Sequence, residues 1–136
     1  MKKRNFLMLG SIILILNLIW EFSHYPLYND LTKIPSTLHL ILASITDVFW
    51  VTFIFLSISL IHHSAKWLNK PLRFDYFLIV VFGLITASII EIINLRLGRW
   101  SYKIIMPTIL GIGLSPLLQL FTTGILALVL MRKINI

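Results

Sequence analysis

The chain has 136 residues, 58% of them hydrophobic and 12% charged, with a mean hydropathy of +0.93 and a net charge of +7. A soluble domain is about half apolar and about a quarter charged, and one this small buries too little surface to hide the excess, so the composition excludes an ordinary water-soluble fold. There are no cysteines, which excludes disulfides, thiolate metal sites and thiol nucleophiles.

Met1-Lys2-Lys3-Arg4 is basic and is followed by an apolar run from Phe6 to Trp20. The layout is that of a signal peptide, but no small-x-small cleavage site follows, so a retained membrane helix is expected over 5–25. Pro26 disfavours helical geometry at Tyr25 and ends it. A short polar connection, Leu27 to Pro35, holds Asn29, Asp30 and Lys33. It leads into a second span over 36–61, with Ser36 as its N-cap. His62 to Arg73 is a basic loop, and the third span, 74–97, ends at Gly98. A polar-aromatic connection from Arg99 to Pro107 precedes a fourth span over 108–131, in which Gly111, Gly113 and Pro116 either kink the helix or set its first turns apart. Each span has the twenty or so residues that cross a bilayer. The expectation is an all-α, integral membrane four-helix bundle forming one domain over 1–136, with no internal repeat.

Lys and Arg fix the expected orientation. Lys2, Lys3, Arg4, Lys66, Lys70, Arg73, Arg132 and Lys133 fall on one side, and Lys33, Arg96, Arg99 and Lys103 on the other. The excess places both termini in the cytoplasm of a multi-pass protein of the cytoplasmic membrane. Because the basic residues punctuate apolar runs rather than building a soluble basic face, the net charge calls for membrane lipids as partners and for no nucleic acid.

Depth is the most informative reading. Glu21 and His24 lie near the outer end of span one. His39 is at the outer edge of span two, with Asp47 about 12 Å deeper. Glu91 and Asn94 lie in the outer part of span three, and Ser115 and Gln119 in the outer half of span four. The inner half is almost wholly Leu, Ile, Val and Phe. Asn17, Glu21 and His24 share one helix face at i, i+4 and i+7, as do Ser115, Gln119 and Thr122. Turned inward, these faces enclose one polar chamber, with Arg96 or Arg99 as counter-charges.

Ionisable groups in hydrocarbon are costly and mark function by default. Glu21, His24, His39, Asp47 and Glu91 are therefore the candidate catalytic residues. Asn94, Arg99, Trp100, Tyr102 and Gln119 are the candidate substrate contacts, with Arg99 suited to a headgroup phosphate. Blander readings stand beside them. Asn17, Ser115, Gln119 and Thr122 suit interhelical hydrogen bonding, the tryptophans suit an interfacial belt, His62 and His63 suit an interfacial loop, and Asp75 suits a helix start. Tyr28 falls beyond Pro26 and belongs to the rim.

Several stretches together carry a resemblance: Trp20-Glu21 with Pro26-Leu27-Tyr28; His39 with Asp47; Glu91 with Asn94; Gly98-Arg99-Trp100-Ser101-Tyr102 with Met106-Pro107; and Gly111 to Gln119. The chain resembles, over most of its length, a family of short four-span bacterial membrane proteins for which no activity is established. The resemblance implies the fold and transfers no catalytic assignment. The architecture also looks loosely like four-helix sterol isomerases of the emopamil-binding type and small membrane terpene cyclases, by analogy alone.

Three functions fit these residues. The first is acid-base chemistry on a lipid or isoprenoid substrate, needing no cofactor, in which carboxyls in different environments divide into acid and base. The second is a proton-relay, transport or assembly subunit, with a homodimer one way to place the cluster at an interface. The third is a mononuclear metal site for lipid hydrolysis, built from His24, His39 and one of Glu21, Asp47 or Glu91, or a haem held by His24 and His39. Glu21-x-x-His24 has the spacing of a di-metal half-site, but no second copy is present.

Overall fold

Each apolar stretch forms one long helix: α1, Lys3–His24; α2, Ser36–Ile61; α3, Arg73–Arg96; and α4, Leu114–Ile134. All four are long and apolar enough to cross a membrane. The computed structural model describes residues 3–29 and 35–134; Lys2, Asp30 and Lys33 lie outside the described residues. The helices run antiparallel in sequence order, so one end of the bundle carries the start of α1 and the end of α4, and the other carries the end of α3 and the start of α4.

Helix α4 is the central element, 50% buried over its most apolar window against 22% to 28% for the others. It packs against α3 and α1, and α1 packs also against α2. Small residues permit the close contacts. A Cβ on Gly83 would stand 2.7 Å from Phe121 Cβ, so α3 approaches α4 only with glycine there. The terminal half of the bundle has an apolar core of Ile13, Val51, Ile54, Ile58, Ile79, Ala127 and Leu128, all 1% exposed or less.

The connections follow from local chemistry. After His24, Pro26 sits in a 3-10 turn, Tyr25–Leu27, that ends α1. The start of α2 is set by Pro35, which occupies the cap position at φ −52° and ψ 133°. Ser36, expected as the N-cap, is instead the first helical residue. Helix α3 ends in a glycine-closed reverse turn. Gly98, at φ 65°, donates its N–H to Leu95 O, and Arg99 donates to Asn94 O at 3.0 Å. The same motif closes α2 with His63 at φ 50°.

The fourth helix begins later than the sequence suggests. Residues 108–113, expected as its first turns, form a small antiparallel hairpin of β1, Thr108–Ile109, and β2, Ile112–Gly113. Leu110 and Gly111 both take positive φ at the tip, which a helix cannot accommodate. Pro116 then falls in the first turn of α4, where its missing N–H costs nothing.

Asp75 is more than a helix-start charge. It is fully buried, accepts the Leu72 N–H at 2.7 Å and pairs with His62 Nε2 at 2.6 Å. His62 stacks on Trp67, whose indole N–H reaches Ser59 Oγ at 2.8 Å. The basic loop is thereby pinned over the terminal end of the bundle.

Candidate functional site

At the opposite end, the inward faces of all four helices meet around a cavity of about 1010 Å³. Glu21, His24, His39, Asp47, Glu91, Asn94, Arg99, Trp100 and Gln119 all line it, whereas Asn17, Ser115 and Thr122, read on the same helix faces, are not among its lining residues. Its wall also includes Leu42 of α2 with Ile89 and Ile93 of α3, side chains that are themselves exposed. The cavity therefore opens sideways between α2 and α3.

Gln119 organises one wall. Its Nε2 lies 2.7 Å from Asp47 Oδ2, 2.8 Å from Glu21 Oε1 and 3.1 Å from Asn17 Oδ1. An amide NH2 carries two protons, and the two shorter contacts go to the carboxyls. Asn17 is fixed in turn by donating to Ile13 O and, more weakly, to Thr123 Oγ1. Thr123, four residues after Gln119, is thus the threonine of this network, rather than Thr122.

A chain of hydrogen bonds reaches Glu21 from the other side. The Trp20 indole N–H donates to Ser115 Oγ at 3.2 Å, Ser115 Oγ is 2.9 Å from His24 Nδ1, and His24 Nε2 is 3.3 Å from Glu21 Oε2. An indole only donates, so Ser115 accepts there. A hydroxyl has a second lone pair as well as its proton, so its bond to His24 Nδ1 runs in the direction set by the imidazole tautomer, and with the proton on Nε2 His24 donates to Glu21. His24 also lines a second cavity of about 450 Å³, whose wall includes Trp20, Ser23, Ser115, Thr123 and apolar side chains.

Glu91 forms the facing wall. Its Oε2 accepts from Trp100 Nε1 at 3.2 Å and from the Tyr102 hydroxyl. Gly98 makes this possible, because the turn it closes sends the chain back over the end of α3. Tyr102 is held in place by a bridge to Tyr28: Asn29 N–H donates to Ser101 O at 3.0 Å and Lys103 N–H to Leu27 O at 2.9 Å. The first and third connections are therefore zipped together as a roof. Tyr28 packs edge-on to His24, Trp100 and Tyr102. Burial, reinforced by the nearby Glu91 carboxylate, pushes the Tyr28 phenol well above its ordinary value. Burial and the hydrogen bond to Glu91 do the same to Tyr102. Tyr102 thus donates to Glu91 as a neutral phenol.

Several expectations are corrected. Arg96 and Arg99 do not neutralise the acids. Among the described residues the basic side chains within 4 Å of a carboxyl are His24 at Glu21 and His62 at Asp75, each an ion pair only when the imidazole is protonated, while Arg99 Nη1 donates to Asn94 Oδ1 at 3.0 Å. The turn at Gly98 carries Arg99 to the rim and away from the carboxyls. His39 lines the cavity but meets the Trp100 ring, at 6.3 Å between centroids. No group of three or more His, Cys, Asp or Glu side chains among the described residues could hold a metal ion, so the mononuclear site has no ligand set. Tyr102 reaches Glu91 from behind the cavity wall rather than forming part of it. Tyr28, assigned to the rim, lines the cavity instead. Its aromatic neighbours come from a connection distant in sequence, and spacing along one helix does not show them.

Comparison with protein-family models, with curated proteins and with solved structures finds no match for this chain.

Proposed function

We propose that this chamber performs acid-base chemistry on an isoprenoid or other unsaturated lipid that enters from the bilayer between α2 and α3. The observation that carries this reading is the placement of Glu21, Asp47 and Glu91 on one cavity in two unlike settings. Two of them share an amide, and the third rests on two neutral donors. Carboxyls held this close repel when both are ionised, so the Glu21–Asp47 pair is suited to hold one proton and deliver it. Glu91, satisfied as an acceptor by Trp100 and Tyr102, is suited to receive one. Addition of a proton to one alkene carbon and removal from a neighbouring position moves the double bond, with no net gain or loss of atoms. Trp50, Trp100 and Tyr28 supply aromatic faces to the positive charge between the two steps. Arg99 at the rim suits a headgroup phosphate. On the distribution of Lys and Arg, the chamber faces outward and both termini lie in the cytoplasm.

A second reading, a proton relay without chemistry, draws on the Ser115–His24–Glu21 chain between the two cavities. Purified protein incubated in D2O with polyprenyl alcohols and a membrane-lipid extract separates the two. Acid-base chemistry on carbon places non-exchangeable deuterium in a lipid product, whereas a relay places none.

A further inference from the structure

The segment between α3 and α4 ends in an apolar edge that none of the described residues covers. Ile104 and Leu110 are 104% and 98% exposed, and Ile105 and Ile109 are also open. The hairpin tip uses Leu110 at φ 53° followed by Gly111 at φ 80°. Two-residue turns of this kind favour Asn-Gly or Asp-Gly, whose side chains tolerate the left-handed region and suit water. Leucine fits neither requirement. It is strained there, and its side chain projects entirely outside the fold.

Two observations identify what meets this edge. The segment leaves α3 at Arg96 and enters α4 at Leu114, so it starts and ends at the limits of two helices able to cross a membrane. Its charged residues are all cations: Arg99 and Lys103 are exposed, and no Asp or Glu follows Glu91 anywhere in the chain. Its apolar side chains thus lie beside cations at the level of the helix ends, the arrangement that suits the anionic headgroup region and the acyl chains beneath it.

We propose that the Ile104-Ile105 turn and the Leu110 tip insert into the bilayer interface, with Arg99 and Lys103 against anionic headgroups. The inserted hairpin is coupled to the roof of the chamber. A Cβ on Gly113 would stand 3.0 Å from the Tyr102 ring, so β2 lies directly against the side chain that holds Glu91. The inference is independent of the chemistry proposed for the chamber and holds or falls without a substrate.

The chain contains no cysteine, so single nitroxide labels can be placed without altering other residues. Full-length Ile104→Cys and Leu110→Cys proteins would be labelled in vesicles of phosphatidylcholine and phosphatidylglycerol. Relaxation by oxygen and by a neutral nickel chelate would be compared with a lipid-facing reference, Ile19→Cys, and a loop reference, Asn69→Cys. All four positions are exposed. Insertion gives an oxygen-to-nickel accessibility ratio at 104 and 110 several-fold above that at 69 and approaching that at 19. A ratio at either position matching residue 69 overturns the proposal. So does protection from both relaxants with spin–spin broadening, which would assign the edge to a second copy of the chain.

Discussion

Gln119 on α4 places its side-chain nitrogen 2.7 Å from Asp47 Oδ2 on α2, and the same nitrogen holds Glu21. One amide thus ties three helices together at the wall of the cavity. Replacing it with Gln119→Leu takes the amide donor from the half-buried Asp47 and from buried Glu21, which keeps only its contact with His24, and costs about 1–3 kcal/mol. Because removing both partners of a buried hydrogen bond is far less damaging than removing one, adding Asp47→Leu should recover part of that loss. Thermal unfolding in micelles of the two single variants and the double variant measures the coupling, and simple additivity would contradict the bridge.

Glu91→Gln should fold normally, since the amide oxygen still accepts from Trp100 and Tyr102. Turnover of a lipid substrate should fall about a hundredfold or more, the scale of a lost general base. Tyr102→Phe removes one of the two donors and should give a smaller loss. Unfolding temperature and product formation measured on the same preparations separate the two effects.

The phenols of Tyr28 and Tyr102 are both pushed upward by burial near Glu91. A raised phenol keeps its proton in the folded chain at pH values where the unfolded chain has released it. Their contribution to stability is complete below the ordinary value of about 10 and declines as pH rises beyond it. Tyrosinate absorbance should therefore appear later in alkaline titration of the folded protein than in denatured protein. Tyr102→Phe should remove part of the delayed amplitude.

Ser115 should set the tautomer of His24. Donation from the Ser115 hydroxyl to Nδ1 corresponds to neutral His24 with its proton on Nε2, and this is the form expected. Nitrogen NMR of the labelled imidazole should show this form in the native protein and in Ser115→Thr. In Ser115→Ala the preference should be lost while the fold remains.

Gly98→Ala places a Cβ in the left-handed region and should cost about 1 kcal/mol. It should also loosen Trp100 and Tyr102 from Glu91. A loss of turnover larger than the loss of stability would report that link between the helix end and the site.

The helices were legible because apolar runs of bilayer length are a strong signal, and α2 occupies 36–61 as read from hydropathy. The convergence of Glu21, Asp47, Glu91 and Gln119 was legible because helical spacing and depth both constrain where a side chain points. Contacts made by the connections were not. The roof depends on pairing between Tyr28 and Tyr102, which are far apart in sequence, and the hairpin lacks the Asn-Gly signature that announces a tight turn. His62 and Asp75 join across a loop, so neither lies on a periodic face that includes the other. Arg96 and Arg99 looked like counter-charges from proximity in sequence alone, but the chain reversal at Gly98 carries Arg99 to the rim.

The central claim is that the chamber moves protons on and off carbon. Deuterium incorporation from D2O into polyprenyl alcohols or extracted membrane lipids, read by mass spectrometry, tests it most directly in wild type beside Asp47→Asn and Glu91→Gln. The account predicts label at a carbon position with the wild-type protein and its loss in both variants while they remain folded. Equal labelling by folded Asp47→Asn and Glu91→Gln proteins, or no labelling by wild type across those lipids, would contradict it.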